Sequence, residues 1–290
     1  MNLFNQMIAR IMKINSELTP LRVVVEKEIL HHDILRELSG AGFLDNLTFI
    51  GGTCLRACYG SKRLSEDLDF TGGAAFKRET LNNLAGILIK RLEAKYGLKV
   101  AVKEPQRETG NVDTWRLKVI TRPELNSFPA QKINIDICTV TSHERRPMML
   151  RNHYGIDLGT GSLLIQAQSR EEILADKLIA FALRANRLKN RDLWDIVWLK
   201  RQGVDLPLDL ISKKFLERKY SRAEFLSLLN ERKTMLQNDP LLRVSFVEEM
   251  KRFLPGSIVA ETIENKEFWN YLTNIVCMES ERIEKELMLP

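Results

Sequence analysis

The chain has 290 residues, of which 44% are hydrophobic and 28% are charged, a balance typical of a folded globular protein. This composition excludes a disordered chain and a collagen-like repeat, and the length allows two domains of roughly 150 residues each. The net charge of +6 is spread over both halves, and no run of ~18–20 apolar residues would span a membrane. The cysteines and histidines lack a zinc-binding spacing. Because the first residues form no signal-peptide pattern, we expect a cytoplasmic protein with no membrane partner.

The first half of the chain combines helical and strand patterns. In chain order these are a helical lead-in over 1–45, strands at 47–50 and 64–70 on either side of a short helix at 53–59, a helix at 79–95, and strands at 114–121 and 132–140. The last strand has isoleucine at every second position, which is typical of a strand with one buried face. This mixture predicts an α+β domain.

From about residue 169 onward, nearly the whole chain has a helical pattern. Ser169 and Glu172 form the pattern of a capping box at the start of this region. Later breaks in the pattern fall at three prolines, Pro207, Pro240 and Pro255. We therefore predict an N-terminal domain over 1–165 and a helical C-terminal domain over 166–290.

Two aspartates lie two residues apart in the second predicted strand. Asp67 and Asp69 would point to the same face, because side chains alternate along a strand. Adjacent carboxylates repel each other, so the pair is costly unless a cation lies between them. Carboxylate oxygens suit Mg²⁺, with Mn²⁺ as an alternative, and Mg²⁺ is usually also held by waters and substrate phosphates. The alternative is an exposed strand face with two unrelated acids.

A third aspartate occurs in the strand predicted at 132–140. The isoleucines of this strand occupy one face, which leaves Asp136 on the other. If the strand pairs beside 64–70, Asp136 joins Asp67 and Asp69. Three carboxylates can hold two metal ions about 3.5–4 Å apart, the arrangement that serves in-line phosphoryl or nucleotidyl displacement. Asp136 would then also be the general base.

A glycine turn precedes the short helix predicted at 53–59. Gly51 and Gly52 let the backbone approach a ligand closely, and amides at the start of a helix favour anions. The Thr53 hydroxyl adds a donor, so a triphosphate would suit this corner; an ordinary strand-to-helix turn is the alternative. Arg63 and Ser65 flank the aspartate pair, and Ser65 follows the same alternation as the two aspartates.

The helical half contains a lysine in an apolar stretch. An isolated Lys177 ammonium group would be costly there unless a carboxylate or a ligand phosphate relieves it. Arg184 follows seven residues later at nearly the same helical azimuth, so both cations could reach one phosphate. We expect Asp195 to be the partner of Lys177, and Asp192 to be the N-cap of the next helix. The alternative is a lysine that snorkels at the edge of the core.

These residues resemble a known family. The string G-G-T-x-L-R … R-L-S-x-D-L-D-F over 51–70, followed by Asp136, is similar to the signature of the DNA polymerase β-like nucleotidyltransferase superfamily. In its fuller form it resembles the AbiEii/AbiGii toxin family of abortive-infection and type IV toxin–antitoxin systems. A second block over 171–199 resembles that family's helical motifs, which carry a lysine on one helix and R-D-x-x-D at the start of the next. The family often has serine where this turn has Gly52 followed by Thr53.

The resemblance implies a polymerase β-like core, a mixed sheet flanked by helices, with a helical C-terminal domain. It implies a toxin that transfers an NMP from an NTP to an acceptor hydroxyl of RNA or tRNA, with Mg²⁺ as cofactor and a separately encoded antitoxin as partner. The implied catalytic and metal-binding residues are Asp67, Asp69, Asp136, Lys177 and Asp195. The implied nucleotide-binding residues are Gly51, Gly52, Thr53, Arg63, Ser65, Arg184 and Asp192.

Two rival functions stay open at this point. An enzyme with the same core would modify a protein or a small molecule, and the fate of a labelled NTP would distinguish it. A protein of another class would bind nucleotide or nucleic acid on the same fold without catalysis. For that protein, an Asp67→Ala substitution would leave activity or toxicity unchanged.

Overall fold

The computed structural model describes residues 2–106, 110–124, 128–184 and 187–288. The chain divides into two compact units, Met1–Gln168 and Ser169–Pro290. The first unit is α+β and the second is helical, so the predicted fold class is confirmed.

Within its described residues, the first unit forms one mixed sheet of seven strands. They are β1 (Thr48–Ile50), β2 (Leu68–Thr71), β3 (Val100–Lys103), β4 (Val112–Val119), β5 (Gln131–Cys138), β6 (Arg145–Met149) and β7 (Leu164–Gln168). Their order across the sheet is β3-β4-β5-β2-β1-β7-β6. β2 runs parallel to β5 and antiparallel to β1, so the strand that contains Asp69 lies near the middle of the sheet.

The sequence predicts four of these strands and misses β3, β6 and β7. β3 and β6 are the two edge strands. Most residues of β6 are exposed, so the strand lacks the alternation that marks one buried face. β5, by contrast, buries Ile133, Ile135 and Ile137 and was predicted almost to the residue. Local pattern therefore identifies strands in the middle of this sheet better than those at its edges.

The second predicted strand is shorter than expected, because β2 begins at Leu68 rather than at residue 64. The backbone before it bonds to side chains instead of to a neighbouring strand. The Ser65 amide donates to the Glu28 carboxylate at 2.8 Å, and the Asp67 carbonyl accepts from the Thr53 hydroxyl. Asp67 thus lies at the end of a loop, directly before the strand that holds Asp69.

The helices of the first unit are α1 (Leu3–Ile14), α2 (Arg22–Gly40), α3 (Gly51–Cys54) and α4 (Leu84–Tyr96), with a π-helix at Leu55–Tyr59 and 3₁₀ turns at Ser16–Leu21 and Arg78–Leu81. The sequence predicts one helix at 53–59, whereas the chain forms α3 and then the wider π-helix. The helix predicted at 79–95 begins only at Leu84, because Asn83 adopts a left-handed conformation with φ of 69°.

The described part of the second unit consists of α5 (Arg170–Leu183), α6 (Asn190–Arg201), α7 (Leu208–Glu217), α8 (Arg222–Asn238), α9 (Pro240–Met250), α10 (Gly256–Glu261) and α11 (Lys266–Met288). The three prolines lie at or next to helix starts, as predicted. The structure shows the hydroxyl contact of the expected capping box and a second partner for its glutamate. The Ser169 hydroxyl accepts from the Glu172 amide, but the Glu172 carboxylate pairs with buried Lys214 at 2.6 Å. Across all the described residues, no helix is long and apolar enough to cross a membrane.

Candidate active site

The candidate site is built on the pairing of β2 with β5. Asp69 lies directly opposite Asp136 in this parallel pair, so the predicted adjacency of the two strands is confirmed. Neighbouring strands are about 4.8 Å apart, which brings two carboxylates of like charge onto one face of the sheet. The Thr114 hydroxyl of β4 donates to Asp136 Oδ1 at 2.6 Å and orients that carboxylate.

Asp67 lies one position before β2 and is anchored to the same strand pair. Its Oδ1 atom accepts the backbone amide of Asn134 at 2.9 Å. Asn134 is two residues before Asp136 on β5, so Asp67, Asp69 and Asp136 are held by one short stretch of paired backbone. The hydrogen bond to Asn134 uses one Asp67 oxygen to fix the start of β2.

The glycine turn packs against the second aspartate. β1 ends at Ile50, which pairs with Asp69, and Gly51 follows with φ of 76°. A Cβ atom on residue 51 would lie 2.9 Å from Asp69 Oδ2. Both the left-handed backbone and this close approach therefore require glycine.

The hydroxyl groups expected at the triphosphate bind protein atoms instead. Thr53 Oγ1 is 2.6 Å from Ser65 Oγ and also donates to the Asp67 carbonyl. Thr53, Ser65 and Arg63 are all buried, and Arg63 donates to the Leu64 carbonyl. These three residues brace the backbone around Asp67. The turn itself presents Gly51 beside Asp69.

The second unit gathers the predicted residues of the helical half. Lys177 Nζ of α5 lies 2.6 Å from Asp192 Oδ1 and 2.8 Å from Asp195 Oδ2, both on α6. Arg184 Nη2 lies 3.2 Å from Asp192 Oδ2. The N-cap prediction for Asp192 is wrong: Lys189 holds that position and Asp192 lies in the first turn, where its carboxylate binds Lys177. Both aspartates, not Asp195 alone, are therefore partners of Lys177.

The charges of this cluster act on one another. Burial raises the pKa of Asp192, but the positive charges of Lys177, Lys189 and Arg184 outweigh it, so the pKa lies below its usual value. Burial and the neighbouring cations lower the pKa of Lys189, although Asp192 opposes this. The cluster therefore combines an ionised acid with an excess of positive groups.

The comparison with known proteins covers both blocks of residues. Residues 33–274 match the family model described as the nucleotidyl transferase AbiEii toxin of type IV toxin–antitoxin systems. The chain belongs to this AbiEii family. The match confirms the resemblance seen in the sequence and shows that the protein is a nucleotidyltransferase.

Solved structures share the fold of this AbiEii-family protein. MenT4, a nucleotidyltransferase toxin from Mycobacterium tuberculosis, is 15% identical and has a TM-score of 0.54 over 97% of each chain. JHP933 from Helicobacter pylori is 18% identical and has a TM-score of 0.52 over 91% of this chain and 94% of its own. At these identities the likeness establishes the fold alone. No curated protein matches the chain.

The carboxylates of the AbiEii-family protein fit a hard cation only in part. Among the residues that the structure describes, no three His, Cys, Asp or Glu side chains form a ready metal-binding group. Mg²⁺, however, is usually held by one or two carboxylates together with substrate phosphates. Asp69 and Asp136 provide such a pair, so the donor set fits Mg²⁺ that arrives with a triphosphate.

Sequence reasoning missed the buried contacts of three charged residues in the AbiEii-family protein. Glu28 binds the loop before β2, Lys189 lies within the charged cluster of the second unit, and Lys214 is buried against Glu172 and Asp176. Glu28 carried no clear signal, because it ends the charged triplet Glu26, Lys27 and Glu28 of the helical lead-in. Its buried partner, Arg56, is distant in sequence, so the pattern could not identify it.

Proposed function

We propose that this AbiEii-family protein is a Mg²⁺-dependent toxin that transfers an NMP from an NTP to a hydroxyl group of RNA, specifically of tRNA. The observation that carries the proposal is the register of Asp69 opposite Asp136, with Gly51 packed against Asp69. Two like charges held together on a central strand pair favour a bound cation. An NTP substrate and a tRNA acceptor also place its action in the cytoplasm.

In this proposal the carboxylate site prepares both ends of the reaction. Asp69 and Asp136, with Asp67 at the start of β2, would hold Mg²⁺ beside the triphosphate. The bound metal would neutralise phosphate charge and lower the pKa of the attacking hydroxyl. Gly51 leaves the backbone beside Asp69 open to the triphosphate, because no side chain fills that space.

The chemical step is an in-line displacement at the α-phosphorus. The acceptor oxygen forms a bond to the α-phosphorus, the bond to the bridging oxygen breaks, and pyrophosphate leaves. Asp136 takes the proton of the acceptor hydroxyl as general base. Its hydrogen bond from Thr114 orients the carboxylate for that transfer.

The cluster of the second unit would act on phosphate charge. Lys177 and Arg184 supply cations, while Asp192 and Asp195 hold them in place. The net charge of +6 supports an RNA acceptor, because nucleic-acid binding depends strongly on phosphate neutralisation. Membership of a type IV toxin–antitoxin family supports a nucleotide substrate and a cognate antitoxin as partners.

Labelled nucleotides would test the proposal. The purified chain is incubated with each α-³²P-labelled NTP, Mg²⁺ and total cellular RNA. We expect label in a tRNA-sized band, lost with EDTA and with Asp69→Asn. Asp113→Asn is the matched control, since Asp113 is on neighbouring β4 but pairs with Arg78 outside the carboxylate site.

Each other result contradicts part of the proposal. Label in protein or in a small product would show that the acceptor is not RNA. Transfer that persists in EDTA would exclude the metal dependence. No label from any NTP, with nucleotide still bound, would leave a non-catalytic binding protein.

A further inference from the structure

A buried carboxylate on α2 binds the loop that leads to the candidate site. We name residues 61–67 the aspartate loop, since it ends at Asp67. Glu28 Oε1 accepts the Ser65 amide at 2.8 Å, and Glu28 Oε2 accepts Arg56 Nε at 3.1 Å and the Tyr154 hydroxyl. Glu28 is only 4% exposed, so these contacts replace water almost completely.

The same face of α2 binds the aspartate loop at further points. Lys27 Nζ lies 2.8 Å from the Glu66 carboxylate, and His31 Nε2 donates to the Glu66 carbonyl at 3.0 Å. Arg56, the partner of Glu28, donates to the Ser61 carbonyl at 2.9 Å. Residues of α2, together with Arg56, therefore hold the aspartate loop from Ser61 to Glu66.

Hydrogen bonds continue from the aspartate loop into the site. Ser65, whose amide binds Glu28, places its hydroxyl 2.6 Å from Thr53 Oγ1. The Thr53 hydroxyl donates in turn to the Asp67 carbonyl. A movement of the loop at Ser65 would thus displace both the start of β2 and the residue after the glycine turn.

Burial of the Glu28 charge costs free energy, which argues that Glu28 has a role beyond stability. Burial raises the pKa of Glu28, but Arg56, Tyr154 and the Ser65 amide outweigh it, so the pKa lies below the usual value and the group is ionised. A buried ion pair is often no more stable than apolar residues of the same volume. Apolar residues, however, could not accept a hydrogen bond from the Ser65 amide.

We propose that Glu28 is a positioning residue that sets the aspartate loop and, through Ser65 and Thr53, the place of Asp67. Its effect on catalysis rests on the proposed function, because it acts through the carboxylate site. Glu28 itself touches neither the carboxylates nor the glycine turn in the contacts described above.

The test compares two buried glutamates of α2. Glu28→Gln removes the charge that holds Arg56 and weakens the contact with Ser65. Glu26→Gln is the matched control, because Glu26 is fully buried on the same helix but binds Arg22, Arg122 and Gln131, outside the aspartate loop. Both full-length variants lose one buried charge, so a merely structural role predicts similar behaviour.

Two readouts separate positioning from stability. Hydrogen exchange in the peptide covering 61–67 should be at least about tenfold faster in Glu28→Gln and unchanged in Glu26→Gln. For transfer, we expect kcat of Glu28→Gln to fall ~10–100-fold, as for residues that orient metal ligands, with a much smaller change in KM for the NTP. Equal exchange and equal kcat in the two variants would overturn the inference.

The proposed function and this inference fail in different ways. If the wild-type chain transfers no nucleotide, the proposed function fails, while exchange in the aspartate loop still decides whether Glu28 positions it. If the wild type is active and both readouts match the control, only the inference fails. If Glu28→Gln does not fold, the comparison is repeated with Glu28→Asp and Glu26→Asp. These variants keep the charge, but the shorter side chain at position 28 withdraws the carboxylate from Ser65.

Discussion

The carboxylate site of the first unit and the charged cluster of the second unit combine charges in opposite ways. In the first unit, Asp69 and Asp136 bring like charges together on paired strands. In the second unit, Lys177 lies between Asp192 and Asp195, and opposite charges satisfy one another within 2.8 Å.

The difference shows which arrangement favours a bound cation. Opposite charges stabilise one another within a mixed cluster, whereas two neighbouring carboxylates repel each other and favour a cation. The Asp69–Asp136 pair is therefore the stronger structural argument for chemistry, and variants of the Lys177 cluster test its proposed role.

Neutralising one aspartate in each unit gives the sharpest contrast. We expect Asp195→Asn to lower the free energy of unfolding by about 3 kcal/mol, because it removes the charge of a fully buried acid that pairs with Lys177. Asp69→Asn should lower that free energy less, since it removes one of the two like charges of the Asp69–Asp136 pair. Urea unfolding followed by circular dichroism measures both. If Asp69→Asn is the more destabilising variant, the comparison is wrong.

A comparison of two lysine variants separates a loss of activity from a loss of stability in the second unit. Lys177 and Lys214 each pair with two acids, and Lys214 is fully buried between Glu172 and Asp176. We expect Lys177→Met to lower kcat ~10²-fold, the order of loss when a charge-stabilising group is removed. Lys214→Met should lower stability but keep the kcat of the folded protein. Similar kcat values for both variants would make the Lys177 cluster structural.

Mild acid should weaken the first unit, because this unit contains the buried His32. Burial lowers the pKa of His32 to about 4, below the 6.5 of an unfolded chain. The unfolded state therefore binds a proton first, and stability falls as the pH drops through 6.5 towards 4. Between pH 7 and pH 5, this histidine alone accounts for about 2 kcal/mol.

The variant His32→Asn isolates that contribution. Its urea midpoint should fall less between pH 7 and pH 5 than that of the wild type, because the carboxylates titrate alike in both proteins. If the urea midpoint of the variant depends on pH as strongly as that of the wild type, His32 is not the cause of the loss of stability in acid.

Two glycines test the close packing at the carboxylate site. Gly51 and Gly97 both have positive φ, but only at Gly51 would a Cβ atom meet Asp69 Oδ2, at 2.9 Å; at Gly97 nothing lies within 4 Å. Gly97→Ala should cost about 1 kcal/mol, from the backbone alone. Gly51→Ala should cost about 1 kcal/mol more and lower transfer of label from the NTP. Equal effects of the two substitutions would mean that the contact with Asp69 is unimportant.

The sequence predicted best where a local pattern carries the structure. The alternating isoleucines identified β5 and placed Asp136 on its other face, and the prolines marked helix starts in the second unit. The edge strand β6 was missed because most of its residues are exposed, and β3 was missed because its four residues are too few to show a clear alternation. Asp192 was assigned as an N-cap because that choice needs only neighbouring residues, whereas its binding to Lys177 depends on how two helices pack.

By itself, the sequence determined the family, the α+β and helical halves, and the residue types from which a carboxylate site is built. Hydrophobic periodicity and short motifs are local properties, so they can be recognised without a structure. Only the tertiary structure decided that Asp69 faces Asp136 and that Glu28 binds Ser65, 37 residues away. Strand register and buried hydrogen bonds join distant parts of the chain, and no local pattern of residues specifies them.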